Sequence, residues 1–140
     1  MLKIFSAFII LFFSFPVLAN DIKHNLYSYP TAKGMKVGAV FGLLPNIKSD
    51  DILVSASSPI CEHVEIHTML EENGIFKMRK IENLPVKADK ENQLSPSGYH
   101  LMLMNLEAPL EVKQSFPLTL TFQKSGDKTV TIPVISRNKK

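Results

Sequence analysis

Residues 98–105 place an imidazole and two thioethers on one side of a predicted β-strand. With the two-residue period of a strand, His100, Met102 and Met104 point to one face and the two intervening leucines point to the other. Thioether sulfur is a soft ligand that favours Cu(I), and imidazole is a common copper ligand. Methionine is also a common filler of irregular cores. The segment therefore fits either a packed interior or one part of a Cu(I) site.

A second group of potential ligands lies on the two strands of a predicted hairpin. Alternation puts His67 and Met69 on one face, and an Asn-Gly turn within residues 71–74 brings Met78 back beside them. His63 shares that face and is expected nearer to solvent. Two imidazoles and several thioethers can thus converge from three strands. A chain with six methionines and four histidines also forms some His-x-Met pairs by chance, so ordinary core packing stays open.

Other chemistries lack their usual sequence patterns. Ser57, Ser58 and Cys61 lie near two histidines, but there is no Gly-x-Ser-x-Gly turn and no acidic residue placed to orient a histidine. The six glycines are scattered singly at turns, unlike those of a phosphate-binding loop. The net charge of +3 is mild and tryptophan is absent, so we expect no nucleic-acid binding. We expect a protein that is not an enzyme.

The first 19 residues have the composition of a secretory signal peptide. A short basic segment, residues 1–3, precedes an apolar run over residues 4–16, and small residues follow at 17–19, where a signal peptidase would cut. The apolar run is shorter than the roughly 20 residues that a spanning helix needs. We therefore expect a signal peptide at 1–19 and one domain at 20–140, located in a bacterial periplasm with no membrane span after cleavage.

The only cysteine is Cys61, so no disulfide can form within the chain. A lone thiol in an oxidising compartment is protected when it is buried, and a buried cysteine packs as a small hydrophobic residue. We expect Cys61 in the core, with a reactive thiol or a metal ligand as the alternative roles.

Short apolar or alternating runs separated by Pro, Gly, Asn and Asp predict an all-β fold. Helical periodicity is hard to find after the signal peptide. Strand number and turn density favour a single-domain, two-sheet sandwich or Greek-key barrel. Polar residues 82–93 form a surface excursion with room for one short strand, and turns at 71–74 and 125–128 close two hairpins. The predicted strands are 23–29, 36–44, 51–57, 63–70, 75–81, 99–106, 116–123 and 129–135.

The spacing of four residues resembles the ligand pattern of the PCuAC-type periplasmic copper chaperones, which are small cupredoxin-like β-sandwich proteins. The pattern is a histidine, ten residues, a methionine, twenty-one residues, a histidine, one residue and a methionine. It is met here by His67, Met78, His100 and Met102. Flanking stretches at 38–41, 57–59, 64–69, 77–79 and 96–104 are also similar to the family.

The resemblance implies that these four residues bind Cu(I), with Met69 and Met104 beside them. It also implies a copper chaperone that passes its ion, directly or through a thioredoxin-like partner, to the copper centres of cytochrome c oxidase. We expect the chain to be a monomer. Some relatives carry a His- and Met-rich C-terminal extension that binds Cu(II), whereas residues 136–140 contain neither residue type. Cu(I) binding is therefore expected to dominate.

Two other functions remain open from the sequence. A blue-copper electron carrier needs a cysteine thiolate with two histidines, but Cys61 precedes the ligand strands and lacks the following Cys-to-His spacing. A metal-free β-sandwich could instead bind an envelope component through its loops. In that protein His67 and His100 would be ordinary polar residues.

Overall fold

The computed structural model describes residues 24–137, which contain ten β-strands. No helix lies within this range, so the all-β prediction is confirmed. The strands are β1 Asn25–Ser28, β2 Val37–Leu43, β3 Asp51–Ser57, β4 Cys61–Glu72, β5 Ile75–Ile81, β6 Leu84–Val86, β7 Gln93–Leu94, β8 His100–Leu106, β9 Ser115–Phe122 and β10 Gly126–Pro133.

The predicted signal peptide at 1–19 and its boundary with the domain lie outside the described residues. Within residues 24–137 there is no helix of the length and apolar character that a membrane crossing requires.

The strands form two antiparallel sheets. The larger sheet has the order β1-β2-β8-β4-β5, with β7 also paired to β2, and the smaller sheet has the order β10-β9-β3-β6. The chain passes repeatedly from one sheet to the other, so strands that are distant in sequence become neighbours. The predicted two-sheet sandwich is confirmed.

The core lies between the two sheets and is built from alternating residues of each strand. Leu101 and Leu103 of β8 are fully buried, as are Leu118 and Leu120 of β9, and all four belong to one hydrophobic cluster. Burying a leucine side chain contributes about 1.5–3 kcal/mol. Because the leucines of β8 face inward, the histidine and methionines that alternate with them lie on the outer face of the larger sheet.

The hairpin of β4 and β5 extends beyond the neighbouring strand β8. Pairing of β4 with β8 ends at His67 and His100, whereas pairing of β4 with β5 continues to Glu72 and Ile75. The turn has positive φ at Asn73 (54°) and at Gly74 (76°), as the predicted Asn-Gly hairpin requires. The hairpin therefore presents its end to solvent.

The second predicted hairpin turn is displaced in the structure. Strand β9 ends at Phe122 and β10 begins at Gly126, so the loop is 123–125, and Asp127 and Lys128 belong to the strand. Gly126 has a φ of 74°, which glycine adopts without a steric cost and which ends the turn there. The excursion at 82–93 also differs, since it contributes two short strands, β6 to the smaller sheet and β7 to the larger.

Asp51, at the start of β3, anchors the loop 123–125 between β9 and β10. Its buried carboxylate accepts hydrogen bonds from the amides of Ile52, Lys124 and Ser125 and from the hydroxyl of Ser125, at 2.8–2.9 Å. Burial alone would raise the pKa of Asp51, but these hydrogen bonds outweigh it and lower the pKa to about 2. The ionised carboxylate therefore stabilises the folded chain.

We predict that Asp51→Asn lowers stability at neutral pH and that this loss narrows as the pH falls from about 4 to about 2. Because the pKa of Asp51 is lower in the folded than in the unfolded state, its carboxylate contributes full stability at pH values above the unfolded-state pKa. This stability is lost as the carboxylate becomes protonated in the folded state. Urea unfolding of both proteins across this pH range measures the difference. Asp89→Asn, at an exposed position, is the control. A loss of stability that is independent of pH would contradict the assignment.

Candidate metal centre

Two histidines face each other across the centre of the larger sheet. His67 of β4 and His100 of β8 are paired in register, and their ring centroids are 5.9 Å apart with an interplanar angle of 48°. His100 is 3% exposed, and the side chain of His67 is 14% exposed. Two imidazoles predicted to converge are therefore brought together on the outer face.

A backbone carbonyl sets the tautomer of His100. Its Nδ1 atom lies 3.0 Å from the carbonyl oxygen of Gly98, which can only accept a hydrogen bond. Nδ1 therefore carries the proton. In the neutral ring the Nε2 atom keeps its lone pair, which is the form that binds a metal ion.

A carboxylate sets the opposite tautomer in His67. The Nε2 atom of His67 donates a hydrogen bond of 2.8 Å to Oε2 of Glu65. The Nδ1 atom of His67 is buried and has no hydrogen-bond partner within residues 24–137. A buried polar atom without a partner is costly, and a lone pair held in this way is available to a bound cation.

Glu65 remains ionised at neutral pH. The hydrogen bond from His67 lowers its pKa, and bonds from Lys80 and His63 act in the same direction against the effect of burial, so that the pKa is about 2. Metal-binding histidines commonly donate their second N–H to such a carboxylate. The sequence-based view that no acidic residue is placed to orient a histidine is wrong. Glu65 lies on the same face as His67, two residues away, and the alternation of the strand could have revealed it.

The predicted methionines lie on either side of the histidine pair. Met102 is opposite Glu65, and Met78 is opposite Met69, so Met102 and Met78 are displaced in opposite directions along the strands. Each is a diagonal neighbour of His67, and diagonal neighbours remain within reach of long side chains. Met102 is half-buried, and Met78 is 45% exposed.

The two auxiliary methionines have different positions. Met69 is on the strand of His67, directly across from Met78. Met104 is opposite His63, four register positions away from the two central histidines. All of these side chains share the outer face, as strand alternation predicts. Within residues 24–137 no three His, Cys, Asp or Glu side chains form a group able to hold a metal ion.

Aromatic residues that the sequence analysis did not single out close one side of this centre. The ring of Phe41 lies 6.1 Å from that of His100, and Tyr27 and Tyr29 lie 6.2 and 6.0 Å from Phe41. Phe41 follows the pair formed by Val40 and Leu101, which places it beside His100. The aromatic cluster shields His100 from water.

Cys61 lies in the core, as predicted. Strand alternation changes at Asn105, which has a positive φ of 55°, and beyond it Leu106 and its partner Cys61 turn inward. Cys61 is 7% exposed, and burial raises the pKa of its thiol. Its side chain packs with the hydrophobic cluster and apart from the two central histidines.

We predict opposite tautomers for the two central histidines of the metal-free protein. In alkaline buffer, where imidazole is neutral, long-range ¹H–¹⁵N NMR will show His67 protonated at Nε2 and His100 at Nδ1. Glu65→Gln will mix the tautomers of His67 because the charged acceptor is lost. Glu71→Gln, with the same charge change on the same strand, is the control and will leave them unmixed. Detection of His100 as the Nε2–H form would contradict the site geometry.

Comparison with solved structures shows the same fold in two PCuAC domains and in one Cu(I)-bound protein. The chain is similar to the copper-bound PCuAC domain from PmoF2, with 17% identity, a TM-score of 0.66, and coverage of 81% of this chain and 90% of that domain. It is similar to the apo PCuAC domain from PmoF1, with 21% identity, a TM-score of 0.63, and coverage of 81% and 91%. A Cu(I)-bound protein of Deinococcus radiodurans gives 21% identity, a TM-score of 0.65, and coverage of 87% and 84%. These TM-scores show a shared fold, so the cupredoxin-like prediction is confirmed.

Sequence comparison gives the family. A protein of Leifsonia xyli subsp. xyli (strain CTCB07), named as a putative lipoprotein, is 33% identical over 105 residues, which are 74% of this chain and 63% of that protein. The chain thus spans less than two thirds of that relative's length. The family model described as "Putative lipoprotein LpqE-like" matches residues 23–134, most of the chain. The chain therefore belongs to the LpqE-like family.

Proposed function

We propose that this protein is a periplasmic Cu(I) metallochaperone that holds its ion with His67, Met78, His100 and Met102. The observation that carries the proposal is the buried, unpartnered Nδ1 atom of His67 beside His100 on a face rich in thioethers. Neutral imidazoles and thioethers form a soft, uncharged donor set, which favours Cu(I) over harder divalent ions. The shared fold with copper-bound PCuAC domains supports the same ion.

The donor set suits an ion that is held and then passed on as cargo. Both histidines already have their metal-binding tautomers, so Cu(I) binding releases no proton from them. Met78 is exposed on the hairpin, whereas His100 is buried against Phe41. An incoming donor from a partner can therefore displace the sulfur of Met78 first, while the histidines still hold the ion. Transfer is then a stepwise exchange of ligands without a change in oxidation state.

The hairpin of β4 and β5 is the part of this surface best suited to contact a partner. Leu70, Ile75 and Phe76 are 47%, 61% and 67% exposed near its end. We propose delivery to the copper centre of cytochrome c oxidase, directly or through a thioredoxin-like protein. This destination rests on the resemblance of the ligand spacing to the PCuAC family.

Export to the periplasm is part of the proposal. It is supported by the signal-like residues 1–19 and by the lipoprotein names of the family and the Leifsonia protein. We propose that the domain acts as a monomer that is not itself an enzyme.

We predict that the protein binds Cu(I) in a competition titration and that His100→Ala/Met102→Ala weakens binding at least about 100-fold, or about 2.7 kcal/mol. Two of the four donors are lost in this variant. His24→Ala/Met35→Ala also removes one histidine and one methionine, both outside this face, and will bind as the unmodified protein does. Met102→Leu, which conserves volume, gives a second test if loss of His100 impairs folding.

A stoichiometry well below one Cu(I) per chain would contradict the proposal. Unchanged affinity in both site variants would contradict it equally. Either result, together with a melting temperature that Cu(I) does not change, would favour a metal-free β-sandwich binding module. An intense visible absorption on addition of Cu(II) would instead favour a blue-copper site.

A further inference from the structure

We propose that His63 and Met104, with Met102 shared, form a second and weaker Cu(I) subsite through which the ion reaches and leaves the main site. This inference rests on the proposed Cu(I)-binding function, and it adds residues outside the four-ligand spacing. His63 lies directly opposite Met104 in the pairing of β4 with β8. Directly opposed side chains have Cβ atoms about 4.5–5.5 Å apart. An imidazole and a thioether at these positions can hold one ion between them.

Met102 connects the two subsites. It lies opposite Glu65, midway between His63 and His67, and is therefore a diagonal neighbour of both histidines. Diagonal neighbours about 7–8 Å apart are within reach of long side chains, and methionine has three rotatable bonds. The sulfur of Met102 can thus stay bound while the ion exchanges one histidine for the other.

One carboxylate orients the histidines of both subsites. The Nε2 atom of His63 lies 3.2 Å from Oε1 of Glu65, and that of His67 lies 2.8 Å from Oε2. Each Nε2–H donates to the ionised carboxylate, which leaves a lone pair on each Nδ1 atom. In the exchange, the Cu–Nδ1 bond to one histidine forms as the bond to the other breaks. The ion remains Cu(I), and no proton or electron is transferred.

Exposure decreases from the outer subsite to the main one. The side chain of His63 is 47% exposed, that of His67 is 14% exposed, and His100 is 3% exposed. An ion arriving from solvent or from a partner therefore meets His63 first. The additional donors of the main site then hold it more firmly.

Anaerobic titration with Cu(I), followed by NMR of ¹³C-methyl methionine, separates the two subsites. We expect the first equivalent to shift the methyl signals of Met78 and Met102 and the second, weaker equivalent to shift that of Met104. Met35, which is exposed at the turn before β2, is the internal control and will not shift in either step. His63→Gln and Met104→Leu will remove the second step and leave the first unchanged.

Transfer of Cu(I) to excess bicinchoninate measures the relay itself. We expect His63→Gln and Met104→Leu to slow transfer about tenfold, with the affinity of the main site unchanged. Met35→Leu, the matched methionine control, will transfer at the rate of the unmodified protein. Because Met104→Leu conserves volume, slower transfer cannot be assigned to a loss of folding.

The outcomes distinguish this inference from the proposed function. A single binding step with unchanged transfer rates in both variants would overturn the relay and leave the main site intact. A shift of Met104 in proportion to Met102 during the first step would make it a ligand of the main site, which also overturns the relay. No shift of Met78 or Met102 at any step would overturn the proposed function, and the relay with it.

Discussion

The pairing of β4 with β8 determines both the core and the candidate metal centre. In this register His67 lies opposite His100, while Ile66 lies opposite Leu101. Successive side chains alternate between the two faces of the sheet, so a slip of one residue would bury the imidazoles and expose the leucines. Burial of Ile66, Leu101 and their neighbours therefore holds the histidines in position on the other face. The stability of the core and the geometry of the site have the same cause.

Hydrogen bonds then prepare the two rings before any ion arrives. Gly98 fixes one imidazole through a backbone carbonyl, and Glu65 fixes the other through a carboxylate. These two hydrogen bonds leave His100 with a free lone pair on Nε2 and His67 with a free lone pair on Nδ1. Phe41 covers one side of the pair, and the exposed thioether of Met78 lies on the other. For the proposed copper carrier, this arrangement would leave one ligand accessible to a partner while the others hold the ion.

Local patterns in the sequence predict much of this arrangement. The bounds of β3 and β5 match the predicted 51–57 and 75–81, because alternation and an Asn-Gly turn are properties of neighbouring residues. The face shared by His100, Met102 and Met104 follows from the same alternation. The turn of the second hairpin differs from the prediction because Asp51, 73 residues before Lys124 in the chain, holds the loop through hydrogen bonds to Lys124 and Ser125.

Features that depend on pairing between distant strands were not accessible from the sequence. Phe41 is adjacent to His100 only because β2 pairs with β8. The burial of Cys61 was expected, but the change of alternation at Asn105 that turns its strand position inward was not. The diagonal positions of Met78 and Met102 also depend on the register of two strand pairs. The spacing of the four candidate ligands indicated which residues to consider, but not how they are arranged around an ion.

The central claim is that imidazole nitrogen and thioether sulfur bind the same Cu(I) ion on this face. X-ray absorption at the copper edge of the protein loaded with one equivalent of Cu(I) tests this claim most directly, because nitrogen and sulfur differ in scattering strength and bond length. The account predicts a shell that contains both nitrogen and sulfur neighbours. A shell without sulfur, or one without nitrogen, would contradict it.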